Sequence, residues 1–302
     1  MPSDSQLMSE LSHRTHFLRE LTPDEQRQLK NVMLDIYKSV ARICDEHGLT
    51  YMMSGGTCLG TIRHQGYIPW DDDLDIMMPR ADYNKLIELC HQGILGEKYE
   101  FSYPNSKTDA NNVYLKIFRK NSKYVELATI NTPFPKGIFI DVFPIECMPS
   151  SKLTRTIKSV FANGVELLAL ARLYAQYPSE PLKQYSSYNK QLRRRYALKK
   201  TLGKLAAFAP HKKWIYWFDQ LASSSKDSQT WGIPSGRKYY DGETFDKSVF
   251  VPTKKAMFEG LEVYVPNDTD SYLRNLYGDY MTLPPVEKRE RHFVYDLKLP
   301  ED

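Results

Sequence analysis

Four aspartates fall within five positions, Asp71, Asp72, Asp73 and Asp75, and run directly into the apolar Ile76-Met77-Met78. A chain that feeds carboxylates into a buried strand must end that strand at a polar site, because an isolated carboxylate is costly to bury. In extended backbone the side chains alternate. Asp73 and Asp75 are therefore expected on one face of a strand, roughly 6.5–7 Å apart at the backbone, with Leu74 and Ile76 turned to the core. Two such carboxylates can converge on one hard divalent cation. Mg²⁺ suits the arrangement because it takes one or two carboxylates together with phosphate oxygens and water; Mn²⁺ is the alternative. From the acidic run by itself a solvated turn is an equal reading. An EF-hand is excluded, since the sixth position from Asp71 is Ile76 where glycine is needed, and Pro79 falls inside the loop.

Two further segments favour the metal reading. Asp141 stands isolated in Gly137-Ile138-Phe139-Ile140-Asp141-Val142-Phe143, a strand-like run in which a shared cation explains a carboxylate better than an edge position does. Ser54-Gly55-Gly56-Thr57 separates a strand expected over Thr50–Met53 from a helix expected over Thr57–His64. Glycines there let backbone approach a phosphate, and the helix N-terminus favours an anion. The turn is not a Walker loop, because Thr61 stands where the lysine must be, and it lacks the glycine spacing of a dinucleotide fingerprint. Strand, Ser-Gly-Gly turn, helix, Asp-x-Asp strand and a later Asp-bearing strand together make the pattern of the nucleotidyltransferase fold. The expected class is α+β: a mixed β-sheet core flanked by helices, with a mainly helical basic insertion.

The chain divides into a polar arm over 1–20, a nucleotidyltransferase-like core over 21–150, a basic helical subdomain over 151–235, and a segment over 236–302 that packs back on the core. Thr22, Pro23 and Glu25 form a helix start of the capping-box type, and Leu29, Val32, Met33, Ile36, Tyr37, Val40 and Ile43 recur at helical spacing after it. Further strands are expected over Tyr99–Tyr103, Val113–Arg119, Tyr124–Leu127 and Gly137–Phe143. Two short ones are expected around Glu259-Gly260, followed by a helix over Asp268–Tyr277.

Ser54-Gly55-Gly56-Thr57-Cys58-Leu59-Gly60, Arg63-His64, Ile68-Pro69-Trp70-Asp71-Asp72-Asp73-Leu74-Asp75-Ile76 and Met78-Pro79-Arg80 closely resemble the LicD family. So do Phe258-Glu259-Gly260, Tyr272-Leu273, Tyr277-Gly278-Asp279-Tyr280-Met281 and Pro284-Pro285. Bacterial members of that family transfer phosphocholine from CDP-choline to a sugar hydroxyl of teichoic acid or lipopolysaccharide, releasing CMP. Animal relatives of the fukutin type use CDP-ribitol. The resemblance implies CDP-choline or a related CDP-alcohol as donor and a lipid-linked glycan as acceptor. It also implies that Asp73, Asp75 and Asp141 hold the metal and serve catalysis. Ser54, Gly55, Gly56 and Thr57 would then bind the nucleotide phosphates. Arg63 and Arg80 flank the acidic run and are candidate cations for the diphosphate, with charge balancing of Asp71 and Asp72 as the equal reading, and Lys116 is a further candidate. Arg119, His64 and His292 are weaker candidates. Trp70 and Tyr67 are candidate walls for a quaternary ammonium, with a Pro-Trp packing contact that shapes the loop as the favoured reading. The rival readings are transfer of ribitol or glycerol phosphate, nucleotidyl transfer at the α-phosphate, and a non-catalytic adaptor on a membrane surface.

The net charge of +4 conceals a division. Residues 152–213 hold fourteen basic and two acidic side chains, a net +12, and the remainder of the chain carries −8. Apolar and aromatic residues such as Val160, Phe161, Leu167, Trp214, Trp217 and Phe218 are interleaved with the cations. Such a pattern can lie on an anionic membrane, here through 152–218, and an ordinary solvated basic face is the equal alternative. Nucleic acid is not expected, for want of a binding motif. No apolar run approaches ~18 residues, the N-terminus lacks the apolar stretch of a secretory signal, and Cys44, Cys58, Cys90 and Cys147 form no CxxC pair. The expectation is a cytoplasmic protein, peripheral at most on the inner face of the membrane.

Overall fold

The computed structural model describes residues 21–105, 107–108, 110, 112–224, 227–285, 289 and 294–301. The expected arm over 1–20 and His292 lie outside the described residues. Helix α1 (Pro23–Glu46) starts on a reciprocal cap: Glu25 N–H donates to Thr22 Oγ1 (3.2 Å), and Thr22 N–H donates to the Glu25 carboxylate (3.0 Å). Its periodic face, Leu29, Met33, Ile36, Val40 and Ile43, is buried as the spacing predicts.

Strand β1 (Met52–Met53), helix α2 (Gly55–His64), strand β2 (Asp75–Pro79) and helix α3 (Arg80–His91) follow. Then come β3 (Tyr99–Ser102), β4 (Leu115–Arg119), β5 (Lys123–Val125) and β6 (Phe139–Cys147). The main sheet runs β1-β2-β6-β4-β3, with β2 and β6 parallel and the other neighbours antiparallel, the mixed sheet expected. Two expectations are corrected. The acidic run is not itself a strand: the ladder opens at Asp75↔Asp141, and β1 reaches only Ile76 and Met77 on the other side. Asp71, Asp72 and Asp73 therefore form an extended approach after a turn closed by Asp71 N–H on Ile68 O (2.9 Å). The strand expected over Tyr124–Leu127 is β5, which leaves the main sheet and pairs with β11 (Asp296–Lys298).

Strand β6 runs past Phe143 through Pro144. A proline removes a ladder donor and is tolerated where no partner needs it. Its antiparallel pairing with β4 ends at Val142, and pairing with β7 (Thr230–Gly232) begins at Glu146, so Pro144 falls in the gap. Between β6 and β7 lie helices α4 (Lys152–Gln176), α5 (Glu180–Ser187), α6 (Lys190–Leu205) and α7 (His211–Ala222). Helix α7 runs back along α4, from His211 N–H on Gln176 Oε1 (2.9 Å) to Ser223 O near Lys158 Nζ (3.5 Å).

The chain has rejoined the sheet by Thr230, before the expected boundary at 235, because β7 pairs with β6 and β8 (Thr244–Asp246) pairs with β7. Between those two strands lies the short helix α8 (Tyr239–Gly242). The hairpin β9 (Lys254–Phe258) and β10 (Leu261–Val265) turns at Glu259 and Gly260, both at positive φ (49° and 76°). Its tip clasps the loop ahead of the acidic run: Glu259 N–H donates to Gln65 O (2.9 Å) and Tyr67 N–H to Glu259 Oε1 (3.0 Å). Helix α9 (Thr269–Tyr277), capped by Asp268 and stopped at Gly278, completes this packing.

Candidate active site

The parallel register of β2 and β6 sets Asp75 beside Asp141, and the antiparallel register of β4 sets Lys116 on the other side of Asp141. Three strands thus carry an Asp–Asp–Lys row to one edge of the sheet. Lys116 Nζ lies 2.7 Å from Asp141 Oδ1, both largely buried, and stands 3.4 Å from the Phe139 ring centre. A desolvated ammonium needs this pairing. Burial pushes the Asp141 carboxyl above its ordinary value, and Lys116 pulls it back. The Asp75 carboxyl stands well above the usual range. Burial is the first cause, then the charges of Asp73, Asp141 and Asp71, with Lys116 opposing.

The glycine turn meets the same carboxylates. Ser54 N–H donates to Asp75 O (3.0 Å), and Asp75 N–H donates to Thr57 Oγ1 (2.9 Å), so the turn and the acidic strand are tied from both sides. Gly55 adopts φ +46°, and its N–H donates to the Tyr272 hydroxyl (3.1 Å). A Cβ on Gly56 would stand 2.9 Å from Asp71 Oδ2, and one on Gly55 3.6 Å from Asp75 Oδ2. The missing side chains make room for two carboxylates at the positive end of α2, where the helix dipole favours them.

Around these groups opens a cleft of ≈ 710 Å³. Ser54, Gly55, Gly56, Arg63, Lys116, Asp73, Asp75 and Asp141 all line it, so most of the expected site residues are brought together. Thr57 is buried beneath, supporting Asp75 rather than facing the cleft. Arg80 is elsewhere. It pairs with the buried Glu146 and with Asp219 (2.9 Å), over the Tyr83 ring, and so ties the sheet to α7. Its position after Pro79 starts α3, which turns it away from the acidic run. Arg119 caps loop carbonyls of Lys98 and Lys120 and does not line the cleft. His64 accepts from Arg63 Nε (2.9 Å), and burial followed by the Arg63 charge lowers its pKa, which suits an acceptor rather than a phosphate donor. Tyr67 is a core residue against Phe258, with its hydroxyl on Lys30 O (3.1 Å), whereas Trp70 does line the cleft.

Sequence reasoning missed several groups. Arg237 reaches the cleft and lies 5.3 Å over the Tyr277 ring, and Arg289 lies 4.2 Å over Trp70. Arg237 is held by its loop: the buried Glu243 accepts from Lys238 N–H (3.0 Å) and occupies the space a side chain on Gly236 would fill. Burial pushes Glu243 up to about 7, against the pull of the Lys238 and Arg237 N–H groups. The signal available in sequence was a small Ser235-Gly236 turn before an arginine, which points to the acidic run only once β7 has paired with β6. Tyr114 and Tyr124 were likewise unremarkable in sequence. Tyr124 donates to Asp72 (3.0 Å), and Tyr114 packs against Phe143 with the rings tilted and their centres 4.2 Å apart.

Among the described residues no group of three or more His, Cys, Asp or Glu side chains closes on a common metal position. The carboxylates that could hold a cation are Asp73 and Asp75, which both line the cleft, a pair of the kind Mg²⁺ completes with phosphate oxygens and water. Burial first, and the neighbouring carboxylates second, raise the Asp75 carboxyl, and a cation there would oppose both. Asp141, the third expected ligand, pairs with Lys116 through its Oδ1.

Comparison with known proteins gives two kinds of likeness. The family described as LicD/FKTN/FKRP, nucleotidyltransferase domain, matches residues 48–161, the stretch from just before β1 into the first half of α4. Among curated proteins, the lipopolysaccharide cholinephosphotransferase LicD of Haemophilus influenzae is 27% identical over 288 residues, 92% of this chain and 98% of that protein. An uncharacterized protein of Rickettsia prowazekii is 28% identical over 119 residues, 38% of this chain and 45% of its own length.

Proposed function

We propose that this chain, which belongs to the LicD family, transfers phosphocholine from CDP-choline to a sugar hydroxyl of a lipopolysaccharide-type or teichoic-acid glycan, releasing CMP. The observation that carries the reading is the Asp75–Asp141–Lys116 row beside the Ser-Gly-Gly turn, inside a cleft edged by Arg63, Arg237 and Arg289. End-to-end similarity to a cholinephosphotransferase supports the donor and the acceptor class. Phosphoryl transfer rests mainly on positioning and charge neutralisation, which a cleft of this composition supplies.

In the reaction the acceptor oxygen bonds to the phosphorus bearing choline. The bond from that phosphorus to the bridging oxygen breaks, and its electron pair leaves with CMP. The hydroxyl proton passes to the Asp141 carboxylate, whose raised affinity for protons suits a general base, while Lys116 keeps it ionised until then. Arg63, Arg237 and Arg289 take the diphosphate oxygens. When bound at Asp73 and Asp75, Mg²⁺ would neutralise the diphosphate and the charge that builds on the leaving oxygen. Tyr114, Phe139, Phe143 and Trp70 offer ring faces for the trimethylammonium group.

The test is incubation of the full chain with lipopolysaccharide, Mg²⁺ and CDP-choline, CDP-ribitol or CDP-glycerol in turn. Release of CMP with phosphocholine on the acceptor is the expected result. Turnover only with CDP-ribitol or CDP-glycerol, or a nucleotide joined to the acceptor with free phosphocholine released, overturns it.

A further inference from the structure

The helical subdomain presents an apolar face that none of the described residues covers. Leu153, Ile157, Val160, Phe161 and Leu167 recur along α4 at the spacing of one helix face, and each is exposed, Leu153 at 72%, Val160 at 68% and Phe161 at 63%. The same face continues to Ala171, where α6 covers it: Gly203 of α6 packs on the Ala171 backbone. Upstream of Ala171 that cover is absent among the described residues. Beyond Gly203 the chain adds Leu205 (73% exposed) and Phe208 (77%). From Leu153 to Leu167 the row spans roughly 20 Å of helix.

The helix that covers the downstream end of this face carries charge of one sign. Helix α6 carries seven basic residues and no acidic one. Arg193, Arg194 and Lys204 are exposed on it, as are Lys152 at the start of α4 and Lys213 on α7. The single acid of α4, Glu166, is pushed by burial up to about 7. A second copy meeting this face would bring cation against cation, so the complementary partner is anionic. A partner that is apolar within and anionic at its surface is a lipid bilayer. No helix among the described residues is long and apolar enough to cross a membrane, so contact would be along the surface.

We propose that the α4 face, with Leu205 and Phe208, inserts into the headgroup region of an anionic lipid bilayer while the α6 cations engage the lipid phosphates. Helix α4 begins five residues beyond the end of β6, the strand that carries Asp141, so the docked helix is directly connected to the cleft. A glycan acceptor carried on lipid would reach the cleft from the surface on which the protein lies. The docking itself requires neither donor nor acceptor, and its failure would leave the transfer reading intact.

The experiment is flotation of the full chain with vesicles of phosphatidylcholine containing about 30 mol % phosphatidylglycerol, against phosphatidylcholine vesicles, at low and high salt. Binding to the anionic vesicles at low salt, at least about tenfold weaker on neutral ones and weakened by salt, is expected. Val160→Asp with Phe161→Asp is expected to abolish flotation, and Arg193→Glu with Arg194→Glu to weaken it at least about tenfold. Neither pair touches the cleft, and circular dichroism melts matching the unaltered protein show that each variant folds. Absence of flotation at low salt, equal binding to neutral vesicles, or flotation that survives the aspartate pair overturns the proposal. So does a dimer in sedimentation equilibrium that the aspartate pair makes monomeric, because the face would then belong to a second copy.

Discussion

The sheet core packs its largest residues out of solvent, among them Tyr83, Phe118, Phe250, Phe258 and Tyr272. The helical subdomain instead buries alanines, Ala162, Ala169, Ala206 and Ala209, with Trp214, Ile215 and Phe218, and leaves Leu153, Phe161 and Phe208 exposed. Their charges differ as sharply. The core gathers Asp71, Asp73, Asp75 and Asp141 around one cleft, and the subdomain carries seven cations and no acid on α6. In the core, apolar periodicity marks an inner face and polar residues mark a site. In the subdomain the same periodicity marks an outer face. The difference teaches that apolar spacing identifies a surface that excludes water without saying what covers it.

The largest expected effect comes from the acidic side. Asp75→Asn should reduce turnover at least about 100-fold, as loss of a charge-stabilising group in a closed site does. The same change should raise the melting temperature at pH 7. A carboxyl whose folded pKa lies above its unfolded value favours folding at low pH, and that advantage is lost as pH rises through the folded pKa. Once ionised, Asp75 sits among like charges in a buried place, which an amide does not. Mg²⁺ should stabilise the unaltered protein and not the variant. A variant that melts lower, or that keeps its turnover, would remove the electrostatic contrast between the two regions.

The helical side has its own titration. Burial, followed by the Arg172 charge, lowers His211 to about 4. A histidine depressed in the folded state contributes stability that is complete above its unfolded pKa near 6.5 and is lost as pH falls toward 4, in all about 3 kcal/mol. Urea melts at pH 7 and pH 5 should show this loss, and His211→Gln should flatten it. A pH-independent helical melt would dissolve this distinction. The smallest effect concerns the glycine turn. Gly56→Ala places a methyl 2.9 Å from Asp71 Oδ2 and should move that carboxylate, lowering turnover about tenfold with little change in melting temperature. Full activity in that variant would mean that Asp71 tolerates displacement.

Much of the core was legible because its signals are local. The Thr22 cap and the α1 face depend on residues three and four apart, and the Glu259-Gly260 hairpin on adjacent ones. Site residues were legible where a backbone conformation or an isolated charge betrayed them, as at Gly55, Asp75 and Asp141. Arg80 shows the limit. Beside the acidic run in sequence, it is carried away by the start of α3 to Glu146 and Asp219, residues that approach it only across the sheet and from α7. Arg237 is the converse, remote in sequence and brought to the cleft by the pairing of β7 with β6.

By itself, then, the sequence determined which residues carry charge into a buried strand, where the backbone must turn, and that a basic segment over 152–213 is separate from the acidic remainder. Tertiary structure decided the rest. Strand register, not spacing, set Lys116 beside Asp141 and Asp141 beside Asp75, and the room left by two glycines was taken by the carboxylates of Asp71 and Asp75. Electrostatic coupling falls with distance and rises with burial, and both are properties of the folded chain. A row of three ionisable groups on three strands therefore has no counterpart in the linear order of its residues.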